Sequence, residues 1–211
     1  MNNKKIKNII FDLGGVIVDL DTAKTISAFS ELSGIAEHDL MKTVHHPIFL
    51  QYEKGEIACK VFREGVRKLF EMTTSDKEID AAWNAMIGDI PMHRLEWLSS
   101  LQQNYRVFIL SNTNHIHINY VHAIMNDNYG IEDFSTYAEK VYYSQQVGMR
   151  KPDTEIFKFV IDQNNLDPQH TLFLDDNLDN LNGAEGVGIQ TAQVNHPENV
   201  PQILIDAGIQ L

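Results

Sequence analysis

Four short stretches end strand-like apolar runs on polar residues, and together those residues could transfer a phosphoryl group. Asp12 follows "NIIF" and precedes Gly14-Gly15, and Ser111-Asn112-Thr113 follows "YRVFIL". Lys151 stands in "GMRKPD", and Asp175-Asp176 closes "TLFL". Each has an ordinary explanation when taken singly. Aspartate before glycine is a turn former, Ser-Asn-Thr caps helices, and a lone lysine is commonly a solvated charge. The adjacent pair Asp175 and Asp176 resists such a reading. Like charges at a buried strand edge repel unless a cation or hydrogen-bond donors offset them.

The four stretches suit one reaction. The Asp12 carboxylate could attack phosphorus as a nucleophile and form an acyl phosphate. An anion approaching a phosphate dianion needs a cation between them, and Mg²⁺ takes the hard oxygen donors present here. Asp12 and Asp176 would supply carboxylates to the ion and Gly14 its backbone carbonyl. The Lys151 ammonium and Ser111 hydroxyl would hold the phosphoryl group from the other side. Backbone N–H groups near Leu13 and Gly14 would complete the cradle, since glycine lets a ligand approach closely.

Positioning these groups requires strands that end together. The strand-like runs are residues 6–12, 105–111, 140–144, 171–176 and 189–194, with helical stretches such as 153–165 and 180–188 between them. Such alternation predicts a parallel sheet flanked by helices, with its site beyond the carboxyl ends of the strands. From Asp21 to about Pro91 the pattern is helical throughout. "TAKTISAFSELSG" ends on Gly34 as a C-cap, and Ser75 with Glu78 forms a capping-box pattern. A connection of about 70 residues far exceeds a normal crossover. The chain therefore reads as an α/β core, residues 1–20 and 92–211, with an all-helical cap inserted at 21–91.

The bulk properties narrow the function. A chain of 211 residues can bury one core plus a subdomain. Its net charge of −12 argues against nucleic acid or an anionic membrane as partner. Cys59 is the single cysteine, so no intrachain disulfide or thiolate cluster forms. No segment has the roughly 20 apolar residues of a membrane helix. A cytoplasmic enzyme acting on a small metabolite is the expectation.

The motifs resemble those of the haloacid dehalogenase (HAD) superfamily along nearly the whole chain. "FDLGGVIVD", "FILSNTN", "GMRKPD" and "FLDDNLDN" are similar to its four motifs, and the helical insertion to its C1-type cap. The resemblance implies a Rossmann-like core with Asp12 as nucleophile and Ser111, Asn112 and Lys151 as phosphate ligands. It further implies Mg²⁺ on Asp176, with Asp175 or Asn180 supporting the ion. Within the superfamily the motifs most resemble the bacterial α-D-glucose-1-phosphate phosphatases. The implied reaction is Mg²⁺-dependent hydrolysis of a small phosphorylated metabolite, such as glucose 1-phosphate, through an aspartyl-phosphate.

One position departs from the family pattern. Most phosphatases of the superfamily carry an acid/base aspartate two residues after the nucleophile, where this chain has Gly14. Such a group is worth about 10² to 10⁴ in rate. Its absence suggests substrates whose leaving group needs little protonation, such as anomeric or acyl phosphates. Water, the substrate itself, Asp19, Asp21, His45 or His46 could stand in for it. His45 and His46 also read as a helix end, and His115 and His117 follow the second motif closely enough to reach a substrate. Tyr52, Glu53 and Lys54 could face the site or end a solvated helix, and Trp83 and Trp97 read as core. Alternative functions are a 2-haloacid dehalogenase, for which Gly14 would be harmless but paired metal carboxylates superfluous, and a phospho-ligand-binding module without catalysis.

Overall fold

A computed structural model describes residues 5–210. Among these residues one five-stranded sheet forms in the order β3-β2-β1-β4-β5, every pairing parallel. Its strands are β1 (Asn8–Phe11), β2 (Arg106–Ser111), β3 (Lys140–Tyr143), β4 (Thr171–Asp175) and β5 (Gln190–Gln193). Each lies within a run expected from the sequence. β1 is central, and all four of its residues are buried. A strand covered on both faces must be apolar at consecutive positions, which is what "NIIF" supplies after its asparagine.

The alternation of side chains divides the core in two. Ile9, Phe11, Val107, Ile109 and Leu174 face one layer, packed with Leu95 and Leu98 of α6 (Met92–Leu101) and Val121 and Met125 of α7 (His115–Tyr129). α11 (Val200–Asp206) adds Val200 and Leu204 to that layer. Ile10, Phe108, Leu110 and Phe173 face the other, against Ile156, Phe157 and Val160 of α9 (Thr154–Asn164) and Leu181 of α10 (Leu178–Glu185). Successive residues pointing to opposite faces is the pleat's own period.

Between β1 and α6 lie α1 (Thr22–Ser33), α2 (Glu37–Leu40), α3 (Pro47–Glu53), α4 (Cys59–Leu69) and α5 (Asp76–Asn84). They gather a cluster of their own, including Phe29, Phe49, Tyr52, Phe62, Phe70 and Trp83, joined by Ile116 of α7. Gly34 closes α1 in the left-handed region, and the capping box of Ser75 and Glu78 opens α5. The helical reading of this span missed one feature: its entry and exit pair with each other. Asp19 and Asp21 donate backbone N–H bonds to Asp89 and Met86, and an antiparallel bridge joins Leu20 to Ile87. Isolated residues of this kind leave no periodic trace.

The helical insert also touches the core at its far side. Gly55, at φ +69°, follows α3 directly above the carbonyl oxygen of Gln145 in α8 (Ser144–Val147). A side chain there would collide with that oxygen and strain the left-handed backbone. Gly55→Ala is expected to lower the unfolding free energy by about 1–3 kcal/mol. A thermal midpoint equal to that of the unmutated chain would show that the insert yields at this contact.

Candidate active site

The sheet's register builds the site. Phe11 pairs with Ile109 on one side and Leu174 on the other, so the next residues of β1 and β4 emerge side by side. The Asp12 N–H donates to the Leu174 carbonyl at 2.8 Å, which fixes Asp12 next to Asp175. Two buried carboxylates in contact need a cation. Lys151 provides it: its Nζ lies 2.8 Å from Asp12 Oδ1 and 2.7 Å from Asp175 Oδ2, and none of its surface is exposed. Burial alone would lower the Lys151 ammonium, but Asp12 and Asp175 outweigh it and hold the group above its ordinary value.

Asn112 sets Lys151 in place. Its amide accepts the Lys151 N–H at 2.9 Å and donates to the Lys151 carbonyl at 2.8 Å. The Asn112 side chain is therefore committed to a backbone clasp, which leaves its own N–H for a ligand. Asp175 is committed in the same sense. Beyond Lys151 it accepts from the Asn177 N–H at 2.8 Å and from the Asn180 amide at 3.0 and 3.1 Å. Asn180 thus braces Asp175.

Asp176 differs from its neighbour. It is exposed, and its carboxylate lies against Gly15, where any Cβ would meet Asp176 Oδ2. Oxygens of Asp12, Asp175 and Asp176 lie within 4.8 Å of one another. Burial raises the Asp12 carboxyl above its ordinary value, Lys151 opposes this and Asp175 adds repulsion. Burial, then Asp175, raises Asp176 as well. Carboxylates pushed toward the neutral form by burial and by the neighbouring Asp175 are relieved by a cation, and an all-oxygen donor set suits Mg²⁺ rather than a soft metal. The residues present fit that ion, with Asp12 and Asp176 the carboxylates whose oxygens Asp175's bonds leave available.

Above this floor opens a cleft of about 360 Å³ lined by Asp12, Leu13, Gly14, Ser111, Asn112 and Asp176. The structure brings these expected residues together, with Lys151 beneath through its bond to Asp12. The insert forms the opposite wall with Glu53, Trp83 and Met86. Glu53 Oε2 accepts from Arg150 Nε at 3.0 Å, so an ion pair joins the insert to the core inside the cleft. Arg150 was not singled out from sequence, although its place beside Lys151 in "GMRKPD" was the available signal. Glu53, left open between site and solvated helix end, faces the cleft.

The histidines separate by place. His45, His46 and His115 are exposed and outside the cleft lining, and His46 Nδ1 caps α3 by accepting the Ile48 N–H. His117 lines the cleft but is fully engaged. Its Nε2 lies 2.9 Å from the Trp83 carbonyl, an acceptor only, so Nε2 carries the proton and Nδ1 faces the Asn114 amide at 3.1 Å. Asn114, rather than Ser111, caps α7. Asp19 pairs with Arg94 and Asp21 caps α1, so neither faces the cleft.

The four motifs thus meet around one cleft, with Lys151 beneath it. Residues 6–188 match the haloacid dehalogenase-like hydrolase family, and the chain belongs to it. It is an enzyme, a hydrolase of that family. It is 34% identical to D-ribitol-5-phosphate phosphatase from Bacteroides thetaiotaomicron, over 92% of this chain and 93% of that one. A HAD-family enzyme from Bacteroides thetaiotaomicron, solved with magnesium and inorganic phosphate, superposes with a TM-score of 0.79 at 39% identity, over 89% of this chain and 93% of that one. A HAD-like family hydrolase from Porphyromonas gingivalis gives 0.87 at 28% identity, over 98% of this chain and all of that one.

Two outcomes follow from this geometry. Lys151→Met leaves Asp12 and Asp175 buried without their cation and is expected to cost about 3–5 kcal/mol in urea unfolding; an unchanged midpoint would contradict that charge balance. Burial holds the His117 imidazole down to about 4, from 6.5. Between those values the unfolded chain takes up a proton that the folded chain refuses, so stability falls as pH drops through the window. The slope of unfolding free energy against pH between 6.5 and 4 should be smaller in His117→Asn than in the unmutated chain.

Proposed function

We propose that the chain is a Mg²⁺-dependent phosphatase that hydrolyses a small phosphorylated metabolite of the sugar or polyol class through an aspartyl-phosphate at Asp12. The observation carrying this reading is the shared cleft: Asp12, Asp176 and Ser111 line it, and the buried Lys151 ammonium holds Asp12 from below. Asp12 Oδ1 is fixed by Lys151 and by the Leu13 N–H at 2.6 Å, which aims the carboxylate at a phosphorus held in the cleft. The Ser111 hydroxyl and the N–H groups of Gly14 and Asn112 receive the phosphoryl oxygens. Asp12, Asp176 and the Gly14 carbonyl would hold Mg²⁺, which would supply charge neutralisation between the two anions. The helical insert, residues 21–91, acts as the cap that covers the leaving group.

The preference among substrates shifts with the relatives. Glucose 1-phosphate, suggested by motif likeness, has no counterpart among the relatives named above, whereas D-ribitol 5-phosphate belongs to one that covers nearly the whole chain. A cleft of about 360 Å³ has room for a five-carbon polyol phosphate. Dehalogenase structures resemble this chain at 19% and 15% identity and share its fold. The paired carboxylates beside the nucleophile favour phosphate chemistry over theirs.

A screen of phosphate esters with and without Mg²⁺ tests the reading, with D-ribitol 5-phosphate, glucose 1-phosphate and 4-nitrophenyl phosphate as its first members. Phosphate release should require the ion, and Asp12→Asn should lower kcat by roughly 10³-fold or more. Metal-independent halide release from 2-chloropropionate, or phosphate binding without turnover, would refute the phosphatase assignment.

A further inference from the structure

Gly14, two residues after Asp12, carries no ionisable side chain and so offers the reaction no proton donor. A Cβ there would meet only the end of the exposed Leu20 side chain, so the position is filled by choice of residue and not by steric exclusion. The polyol of the proposed phosphate ester would leave as a primary alkoxide, which departs poorly unless protonated. The donor must come from elsewhere in the cleft. The ionisable groups lining it are Asp12, Glu53, His117, Arg150 and Asp176. Asp12 is the nucleophile and Asp176 a metal ligand. Arg150 is committed to its ion pair with Glu53. His117 spends both ring nitrogens on Trp83 and Asn114.

We infer that Glu53 protonates the leaving oxygen and then activates the hydrolytic water, an inference that rests on the phosphatase reading above. In the first half-reaction an Asp12 oxygen bonds to phosphorus as the bond from phosphorus to the alkyl oxygen breaks. That oxygen takes the broken bond's electron pair and the proton of the Glu53 carboxylic acid, and leaves as an alcohol. In the second, the Glu53 carboxylate takes one proton from water while the water oxygen bonds to phosphorus. The bond to Asp12 breaks, hydrogen phosphate departs, and Glu53 is again protonated.

The placement of Glu53 suits this work. It ends α3, and the turn after it is pinned to the core by the Gly55 contact with Gln145 and by the Lys54–Asp153 pair at 3.5 Å. Its bond to Arg150 uses Oε2, which leaves Oε1 for a ligand. Burial raises the Glu53 carboxyl above its ordinary value, with the Arg150 guanidinium opposing. An arriving phosphate dianion pushes in the same direction as burial.

The test compares two leaving groups under single-turnover conditions with Mg²⁺. One ester is 4-nitrophenyl phosphate, whose phenolate departs as the anion. The other is D-ribitol 5-phosphate or the fastest primary alkyl phosphate of the screen. Glu53→Gln should slow the alkyl ester about 10²- to 10³-fold and the aryl ester less than about fivefold. Arg150→Gln breaks the same ion pair but keeps the carboxyl, so its alkyl-to-aryl rate ratio should stay within about threefold of the unmutated enzyme. Equal slowing of both esters by Glu53→Gln, or a raised KM for the polyol with its rate intact, overturns the inference. An unmutated chain inert toward every ester overturns the phosphatase reading, and this inference with it.

Discussion

The site depends on one buried ammonium shared between two carboxylates. Asp12 and Asp175 are made neighbours by strand pairing, and their repulsion is a fixed cost of the register. Lys151 offsets it with two contacts under 3 Å at full burial, where screening by solvent is weakest. The arrangement explains why the lysine is held by its backbone as well as by its charge. A flexible side chain left to find its partners would give up rotamer entropy at each encounter, whereas the Asn112 clasp sets its origin before the ammonium is placed.

The adjacent aspartates show how a single strand end can serve two purposes. Chain direction turns successive side chains to opposite sides, so Asp175 goes inward and Asp176 outward. The inner one is engaged by Lys151, Asn177 and Asn180. The outer one remains open beside Gly15, whose bare backbone makes room for its oxygens. The pair that looked hardest to explain in the sequence is thus two different residues in chemistry as well as position.

The core strands were legible because their evidence is local. "NIIF" followed by Asp12, or "TLFL" followed by Asp175, marks a buried strand and its end within six residues. The family likeness of the four motifs then supplied their common purpose. Partners were not legible, because they are set by packing across long stretches of chain. Lys151 was read as a phosphate ligand, and the structure adds partners the sequence did not show, Asp12 and Asp175 on its Nζ. Asn112 was read as a ligand, and the structure adds that its side-chain amide clasps the lysine's backbone. Glu53 and Arg150 lie 97 positions apart, and only the docking of the insert reveals them as a pair.

The contacts between insert and core bear on what each part can change. The core's charges form a closed set in which every member leans on another, so a substitution at Lys151 or Asp175 disturbs Asp12 itself. The wall formed by Glu53, Trp83 and Met86 shares the cleft but none of those charge contacts. Trp83 is anchored by stacking on His117 with ring centroids 4.8 Å apart and by a ring-to-ring packing with Phe49 at 5.3 Å. Such apolar anchoring tolerates exchange of neighbouring polar groups better than a buried ion triad does. On the proposed reading, phosphate handling is therefore the rigid half of the enzyme. Treatment of the leaving group is the half that substitution can retune without dismantling the fold.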